Sequence, residues 1–274
     1  MPELPEVETV RRTLEPSLVG KTIIKVEIVT GKIVKQPGLE EFNTELQGRE
    51  VAAVKRRGKY LLLELSGNKT LVVHLRMTGQ FTYCSSATKR EKHTHLMFTL
   101  SDGQQLRYVD TRQFGEMHLL PTGEYSSIRG LSALGPEPLG EGFYLQGFQQ
   151  QLAGKKTKLK ALLLDQSFLA GMGNIYVDEA LFRAGVQPNR SANSLTAKEA
   201  EAVYTAVREV LAEGIEFRGT SIKDYVDGDG RSGSFQERLQ VYGRAGATCK
   251  RCGDTLEKAR VAGRTTVFCS RCQQ

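Results

Sequence analysis

A proline and two glutamates stand close together at the start of the chain, which begins Met1-Pro2-Glu3-Leu4-Pro5-Glu6. Removal of the initiator methionine would leave Pro2 with a free secondary amine. An α-amino group has a pKa of about 8, so an appreciable fraction is uncharged and nucleophilic at neutral pH. A secondary amine that attacks an aldehyde-like carbon forms a cationic iminium, which acts as an electron sink. Glu3 and Glu6 are close enough in sequence to move protons in such a reaction.

The same stretch also fits an ordinary helix start. Pro5 in the first turn, followed by Glu6 and Glu8 near the positive end of the helix dipole, is common in helices that do no chemistry. A motif this short favours the structural interpretation when it is taken alone. The rest of the sequence must therefore decide whether Pro2 is a nucleophile.

Four of the five cysteines form two Cys-x2-Cys pairs near the end of the chain. This spacing predicts one tetrahedral zinc ion, bound by Cys249, Cys252, Cys269 and Cys272. Four thiolates fill the coordination shell, so the zinc is predicted to be structural, and the tail is expected to unfold without it. Cys84 is expected to pack as a small apolar group.

Basic side chains surround these cysteines, namely Lys250, Arg251, Lys258, Arg260, Arg264 and Arg271. They fit either a solvated face or a hairpin laid along a phosphate backbone. A second basic group, Arg56, Arg57 and Lys59, stands beside a predicted strand start. A charged sheet edge that discourages pairing is the alternative explanation there.

Two glycines interrupt a helical region between residues 166 and 184, in the order Gly171-Met172-Gly173-Asn174. The exposed N–H groups of such a turn can cradle a phosphate, and Asn174 is expected either to cap the second helix or to bond a phosphate. A plain glycine C-cap between two packed helices is the alternative and, taken alone, the more common case.

The histidines suggest no metal site. His93 and His95 have a metal-like spacing, but the chain has four histidines and no third ligand lies nearby. A histidine bonded to a phosphate is the better interpretation, and His74 and His118 are expected to be ordinary strand residues.

Length and charge restrict the class of protein. The chain has 274 residues, a net charge of +7 and a pI near 9.1, which favour two domains and a polyanionic partner, nucleic acid first. A basic protein with no such partner is the alternative. No apolar run near 18 residues predicts a membrane span, and no N-terminal signal is recognisable, so the protein is expected to be cytoplasmic.

The elements that must position these residues differ along the chain. An amphipathic helix is predicted at 7–14, with Pro16 ending or kinking it. From residue 21 to about 120 the pattern predicts short strands at 22–29, 51–54, 60–65, 70–75, 80–83, 96–100, 105–109 and 116–120. Strands without intervening helices indicate a sandwich or a barrel.

Residues 134–140 hold two prolines and two glycines and are the best candidate linker. Helices are predicted beyond it at 143–152, 158–169, 174–184 and 197–217, the last behind Ser194 and Thr196 as possible caps. Residues 218–234 are glycine-rich and predict a mobile loop. Segments 235–242 and 260–269 are predicted as hairpin strands that hold the cysteines.

These pieces occur in a fixed order along the whole chain. They are PELPEVET (2–9), RGKYL (57–61), HLRMTG (74–79), DTRQFG (110–115), LGPEPL (134–139), LLDQ (163–166), GMGNIY (171–176), VYGR (241–244) and the four-cysteine tail. With them the chain resembles the bacterial formamidopyrimidine-DNA glycosylases, also called 8-oxoguanine-DNA glycosylases or abasic-site lyases. So many motifs in order are specific, and they reverse the interpretation of Pro2.

The resemblance implies an α+β fold in three parts. An N-terminal catalytic β-sandwich with flanking helices spans 1–133. The 134–140 linker leads to a helix–two-turns–helix DNA-binding domain with a lesion-capping loop at 141–234, and a zinc finger follows at 235–274. It also implies a monomer that binds damaged double-stranded DNA in a basic cleft, with one structural Zn²⁺ and no membrane partner.

The resemblance further implies a chemistry for five residues. Pro2 attacks C1′ of the deoxyribose, expels an oxidised purine and forms a Schiff base, after which β- and δ-elimination nick the strand. Glu3 is the general acid for sugar-ring opening, and Glu6 is a supporting carboxylate. Lys59 matches the proton donor of the first elimination, and Arg264 matches that of the second.

DNA contacts carry over in the same way. Met77, Arg112 and Phe114 match the side chains that fill the gap left by the flipped base, although Met77 and Phe114 also fit strand-end core residues. The remaining DNA-binding positions implied are His93, Arg112, Lys155, Lys160, Asn174 and Tyr242. Lys155 and Lys156 both fit the local basic pattern, so that choice stays open.

Two other functions remain. An endonuclease VIII-type glycosylase for oxidised pyrimidines shares Pro2, Glu3, the two-turn motif and the zinc tail. Leu4 and the set of Met77, Arg112 and Phe114 favour the purine enzyme. A non-catalytic zinc protein that binds DNA is the rival from another class, and it needs no free amine at residue 2.

Overall fold

The structure, a computed structural model, describes residues 1–222 and 224–274. Contacts divide the chain into two units. The first contains Met1–Ser132 and Phe217–Ser234, and the second contains Ala133–Glu216 and Phe235–Gln274. Within the described residues, no helix is both long enough and apolar enough to cross a membrane.

The first helix, α1 (Leu4–Leu18), begins directly after its N-cap, Glu3. Its inner face, which includes Leu4 and Leu18, is fully buried. The predicted helix at 7–14, ending or kinked at Pro16, is therefore too short at both ends. Pro16 stands in the last turn, where a proline removes a single backbone hydrogen bond, and burial of Leu18 favours continuing the helix past it.

Two sheets follow and share one hydrophobic core. The first has the antiparallel order β1-β7-β8-β6, with bounds β1 (Ile23–Ile28), β6 (Gly79–Ser85), β7 (Thr94–Leu100) and β8 (Gln104–Asp110). The second has the order β2-β9-β5-β4-β3, with β2 (Val34–Gln36), β3 (Val51–Arg57), β4 (Tyr60–Leu65), β5 (Lys69–His74) and β9 (Glu116–Pro121). The predicted β-sandwich is confirmed, and β2 and β9 are parallel while the other neighbours are antiparallel.

The sequence does not predict one strand and two α-helices in the described part of this unit. They are β2, the helix α2 (Leu39–Leu46) and the single turn α3 (Arg129–Ser132). Each is too short to show a clear periodicity on its own. Cys84, in β6, is half-buried, so it packs only partly as the apolar group that the sequence suggests.

The second unit holds α4 (Leu145–Ala153), α5 (Leu159–Leu164), α6 (Asn174–Ala184) and α7 (Ala197–Glu216). The bounds of α6 are as predicted, and those of α7 differ by one residue. The predicted helix at 158–169 is too long, because Asp165 turns the chain. The backbone of Asp165 is extended, and Asp165 Oδ1 accepts the Ser167 N–H at 2.9 Å.

Thr196 is the cap of α7, as one of the two predicted candidates. Its N–H donates to Glu199 Oε2 at 2.8 Å, and its Oγ1 accepts the Glu199 N–H at 3.3 Å. This reciprocal pair is a capping box, which satisfies two backbone donors at the helix start.

The cysteine-bearing hairpin consists of β10 (Glu257–Val261) and β11 (Arg264–Phe268). The predicted strand at 235–242 is wrong, because Phe235–Arg238 forms a 3₁₀ turn. The predicted strand at 260–269 is interrupted at Ala262 and Gly263, whose positive φ angles of 52° and 70° reverse the chain.

The segment Phe217–Ser234 belongs by its contacts to the first unit, whereas the sequence groups it with the helical domain. The Gly228 N–H donates to Thr13 Oγ1 of α1 at 2.9 Å, and the Gly228 carbonyl accepts the Tyr83 N–H of β6 at 3.1 Å. These contacts hold the described part of the predicted mobile loop against the sandwich.

Candidate active site

The start of α1 is buried, and a hydrogen bond within its first turn holds it in place. Pro2 is buried, and Glu3 and Glu6 expose 3% and 2% of their surfaces. The Glu3 N–H donates to Glu6 Oε2 at 2.8 Å across the first helical turn. Pro2 is therefore next to a fixed helix cap, which removes the fraying that would misplace a terminal nucleophile.

The other oxygen of Glu6 holds the returning segment. Glu6 Oε1 accepts the Thr220 N–H at 2.7 Å, and the Tyr225 hydroxyl donates to the Glu6 carbonyl at 3.2 Å. Burial, and then the charge of the Glu6 carboxylate, raise the pKa of Tyr225 well above its usual value, so this hydroxyl remains a donor. Glu6 thus connects the two ends of the first unit.

Described residues of Phe217–Ser234 also bind a buried carboxylate within the same segment. Asp227 is 0% exposed and forms an ion pair with Arg218. Asp227 Oδ1 accepts the N–H groups of Asp229 and Arg231, both at 3.0 Å. These contacts give the described residues of the segment a defined shape.

Lys59 lies in the turn between β3 and β4 and is 8% exposed. α1 runs alongside β3, because the Arg11 guanidinium reaches the Val54 carbonyl at 3.5 Å and Arg56 Nε donates to Glu8 Oε2 at 3.0 Å. As residue numbers fall along α1 they rise along β3, so the start of α1 approaches the turn that holds Lys59. Arg56 is an ion-pair partner of the helix rather than a solvated edge cation.

Met77 and Phe114 are exposed, at 40% and 47% of their surfaces. Neither is a strand-end core residue, which was the structural alternative for both. The Arg112 guanidinium lies over the Phe114 ring, with its carbon 4.7 Å from the ring centroid. Exposed apolar side chains beside a cation suit insertion between bases.

Asp110 organises the loop that carries these residues. Its Oδ1 accepts the Arg112 N–H at 3.2 Å and the Thr78 hydroxyl, and its Oδ2 accepts the Gly115 N–H at 2.8 Å. We refer to Met77, Arg112 and Phe114 as the wedge. Thr78 follows Met77, so one buried carboxylate holds both loops that carry the wedge. Sequence reasoning missed this role, although Asp110 opens the DTRQFG segment.

The buried side chain of Tyr108 lies against both loops, next to Gly79 and Gly115. A side chain at Gly79 or Gly115 would collide with the hydroxyl of Tyr108. Glycine is required at both positions because this hydroxyl occupies the space that a Cβ would need.

The histidines take separate roles. His93 has a φ of 71° and its carbonyl accepts the Asp110 N–H at 3.0 Å, while His95 is buried with Nε2 2.8 Å from the Asp110 carbonyl. Burial, and then the charges of Arg76 and Lys59, lower the pKa of His74 to about 3. His74 is therefore neutral, and its Nδ1 accepts the Arg76 N–H at 3.0 Å.

In the second unit, Lys160 is not at the surface. Its side chain is 0% exposed, and its Nζ donates to Asp178 Oδ1 at 2.6 Å, to Thr266 Oγ1 at 2.8 Å and to the Thr265 carbonyl at 3.3 Å. Each of these acceptors can take a proton of the ammonium group. The predicted phosphate contact by Lys160 is thus replaced by a structural contact with β11.

Asn174 is the first residue of α6, and Gly173 is the cap, so the predicted capping role is wrong. Asn174 Nδ2 donates to the Thr265 carbonyl at 3.0 Å. Its Oδ1 is buried and has no hydrogen-bond partner among the described residues. Asn174 therefore holds β11 one residue from Arg264, which is exposed.

Two further predicted DNA-binding positions lie at or near the surface. Lys155 and Lys156 are both exposed, so the structure leaves the choice between them open. Tyr242 is half-buried, and its N–H donates to Glu179 Oε1 at 2.8 Å.

The four-cysteine cluster has the geometry of a zinc site. The four Sγ atoms lie within 4.8 Å of one another, with Cys249 and Cys272 3.9 Å apart and Cys252 and Cys269 3.4 Å apart. Tetrahedral zinc with Zn–S bonds of about 2.3 Å places its sulfurs about 3.8 Å apart. The cysteines fit one structural Zn²⁺, and within residues 1–222 and 224–274 no other His, Cys, Asp or Glu group has metal-binding geometry.

Comparison with known families divides the chain into three matched regions. The profile of the formamidopyrimidine-DNA glycosylase N-terminal domain matches residues 1–117, and the formamidopyrimidine-DNA glycosylase H2TH domain matches 134–226. A zinc finger found in FPG and IleRS matches residues 246–274.

Relatives and solved structures agree along nearly the full length. A formamidopyrimidine-DNA glycosylase of Pelotomaculum thermopropionicum is 49% identical over 93% of each chain, and one of Enterococcus faecalis is 45% identical over 100% of this chain and 98% of its own. A Lactococcus lactis Fpg in complex with abasic-site DNA has a TM-score of 0.93 at 40% identity, covering 99% of both chains. The MutM (Fpg) protein of Thermus thermophilus has a TM-score of 0.90 at 45% identity, covering 99% of this chain and 98% of its own.

Proposed function

Since the chain belongs to the formamidopyrimidine-DNA glycosylase family, we propose that it excises oxidised purines from duplex DNA with Pro2 as nucleophile and then cuts the strand. It is a base-excision repair glycosylase with abasic-site lyase activity, and damaged double-stranded DNA is its partner. The preferred bases are 8-oxoguanine and ring-opened formamidopyrimidines.

The reaction begins at the sugar. The Pro2 nitrogen attacks C1′, the glycosidic bond breaks and the damaged base leaves with the bonding electron pair. The proton that the Pro2 nitrogen then loses neutralises the departing base. Glu3 protonates the ring oxygen as the C1′–O4′ bond opens, which leaves an iminium between C1′ and Pro2. Glu6 orients Glu3 through the 2.8 Å hydrogen bond to its N–H.

The lyase steps use the same intermediate. The iminium withdraws electrons from C2′, so water can take a C2′ proton. The C3′–O bond then breaks, and the 3′ phosphate leaves with its electron pair. A second elimination breaks the bond to the 5′ phosphate and leaves a one-nucleotide gap. Lys59 is the proton donor of the first elimination, and Arg264 is that of the second.

The observation that carries the proposal is the buried start of α1. Pro2 adjoins a helix cap held by Glu6, and a buried cation, Lys59, lies in the turn that this end of the helix approaches. An amine held in this way needs no ordering when the sugar arrives, which lowers the entropic part of the barrier.

DNA recognition is assigned to side chains of both units. Met77, Arg112 and Phe114 enter the space left by the extruded base, with Arg112 available to the orphaned partner. The DNA contacts outside the gap are His93, Asn174, Tyr242 and either Lys155 or Lys156. The functional division is that of the sequence, namely 1–133, 141–234 with its lesion-capping loop, and 235–274.

The curated relatives named above come from bacteria, which supports action on a bacterial chromosome in the cytoplasm. The protein is further proposed to act as a monomer, as its resemblance to the family implies. Light scattering of the protein with and without an abasic-site duplex tests the oligomeric state. A two-to-one complex of protein with DNA would contradict it.

Borohydride trapping with abasic-site DNA tests the nucleophile. The wild type is expected to form a covalent adduct whose mass spectrum places the sugar on Pro2. One additional residue before Pro2 is expected to abolish trapping, whereas one additional residue after Gln274 is the matched control and leaves it intact. Trapping that survives a blocked N-terminus would move the nucleophile to a lysine such as Lys59.

The borohydride adduct also separates catalysis from binding alone, because a non-catalytic DNA-binding protein forms no covalent adduct. Release of 8-oxoguanine but not of thymine glycol distinguishes the purine enzyme from an endonuclease VIII-type glycosylase.

A further inference from the structure

A basic segment between β6 and β7 is not used by the chemistry above. Residues 86–92 are exposed and include Lys89, Arg90 and Lys92, with Glu91 among them. Within the described residues, none of these four side chains takes part in an ion pair. We refer to residues 86–92 as the basic loop.

The basic loop lies over the outer face of the first sheet. Leu106 and Tyr108 of β8 point into the core, so Arg107 between them points to the opposite face. There the Arg107 guanidinium donates to the Ser86 and Lys89 carbonyls, both at 3.3 Å.

Arg107 is itself a buried cation. It is 4% exposed, and its other described contacts are with the Ser85 carbonyl at 3.5 Å and with Gln105 Oε1 at 2.9 Å. No carboxylate among the described residues neutralises it. Its charge therefore adds to that of the loop above it instead of cancelling within the protein.

The far end of the basic loop reaches the wedge. Lys92 is followed by His93, whose carbonyl accepts the Asp110 N–H at 3.0 Å. Asp110 in turn holds Arg112, so the loop and the wedge meet at the same end of the sheet.

We propose that the basic loop binds the phosphate backbone of the duplex beside the lesion, beyond the contacts assigned to the wedge and His93. Three unpaired cations held in one shape by a buried fourth suit a row of phosphates, because binding releases counterions without ordering a free loop. The inference rests on the proposed function, since it extends the DNA surface of the same unit.

The salt dependence of binding tests the loop. The triple variant Lys89→Gln, Arg90→Gln and Lys92→Gln is measured against wild type with a duplex that carries a stable abasic-site analogue. The slope of log K against log salt is negative, and each lost phosphate contact reduces its magnitude by about 0.9. The triple variant is therefore expected to reduce the magnitude by about 2 to 3 and to bind about 10- to 100-fold more weakly near 0.1 M salt.

A second triple variant has the same change in charge at Lys25, Lys32 and Lys35, which are exposed in the same unit. It is expected to change the slope by less than about 1, through the general field alone. Equal changes of slope in the two triple variants would overturn the inference. Borohydride trapping by the wild type is measured separately, so a failure of the proposed function would be recognised as such.

Discussion

Lys160 and Asp178 form an ion pair with 2.6 Å between Nζ and Oδ1, and neither side chain is exposed to solvent. The pair lies between α5 and α6 and also contacts β11 through Thr265 and Thr266. It therefore helps to fix the strand that begins at Arg264, although neither residue of the pair is placed to touch DNA.

Breaking this pair is expected to destabilise the protein strongly. Lys160→Met leaves a buried carboxylate without its cation, which costs about 3 to 5 kcal/mol, whereas the double variant with Asp178→Leu is expected to recover most of the loss. Denaturant unfolding of the two single variants and the double variant measures the coupling. A loss below about 1 kcal/mol in both single variants would show that water reaches the pair.

His74 is expected to make the protein sensitive to acid. Burial and the charges of Arg76 and Lys59 lower its folded-state pKa to about 3, while the unfolded chain takes up the same proton near its ordinary value. As pH falls below about 6.5 the unfolded state gains a proton that the folded state refuses, so stability falls by up to about 1.4 kcal/mol per pH unit towards pH 3.

His74→Asn tests this because asparagine keeps an acceptor for the Arg76 N–H but does not titrate. Its unfolding free energy is expected to depend less on pH between 6.5 and 4 than that of the wild type. His118 is half-buried, and its pKa is lowered by burial, so His118→Asn is the comparison and should flatten the profile less. Parallel profiles for wild type and His74→Asn would contradict the assignment.

Removal of zinc is expected to unfold the C-terminal hairpin. The four thiolates gain their order from the metal, so chelation should abolish hydrogen-exchange protection in β10 and β11. The strand pair β4 and β5 provides the internal control, and its protection should persist. Continued protection of the hairpin after metal release, with release measured by atomic absorption, would argue against a structural zinc.

The wedge is expected to act on duplex DNA alone. Phe114→Ala removes an exposed ring that replaces lost base stacking, a contribution of a few kcal/mol, so excision from duplex should slow about 10- to 100-fold. Cleavage of single-stranded abasic DNA, which needs no base extrusion, should stay near the wild-type rate. Tyr144→Ala removes another exposed aromatic, 57% exposed, and should leave both rates unchanged. Equal losses on both substrates would place Phe114 in the chemistry instead.

The sequence predicts most strands of the first unit, α6 and the zinc ligands because each has a local pattern that no long-range contact overrides. The choice of a sandwich over a barrel comes from the family resemblance. Prediction from the sequence is wrong where burial against other parts of the chain determines the structure. Pro16 does not end α1, since Leu18 is buried beyond it. Lys160 looks like a surface cation in sequence, and only its contact with Asp178, eighteen positions away, makes it a core residue.

The site shows the same division. The motifs predict roles for Pro2, Lys59 and Phe114, since these segments resemble those of the family, and these roles stay predictions. They do not predict that Glu6 accepts the Thr220 N–H, because a hydrogen bond across 214 positions leaves no periodic signal in the sequence.

The return of Phe217–Ser234 to the first unit has a consequence for biosynthesis. The ribosome makes residues 133–216 before it makes the stretch that meets Glu6 and Thr13. A nascent chain that stops at Ser132 lacks this stretch, so Glu6 and Thr13 of α1 lack the hydrogen bonds that Thr220 and Gly228 donate to them. We therefore expect the start of α1 to gain its full set of hydrogen bonds only late in translation, after residue 228 has been made.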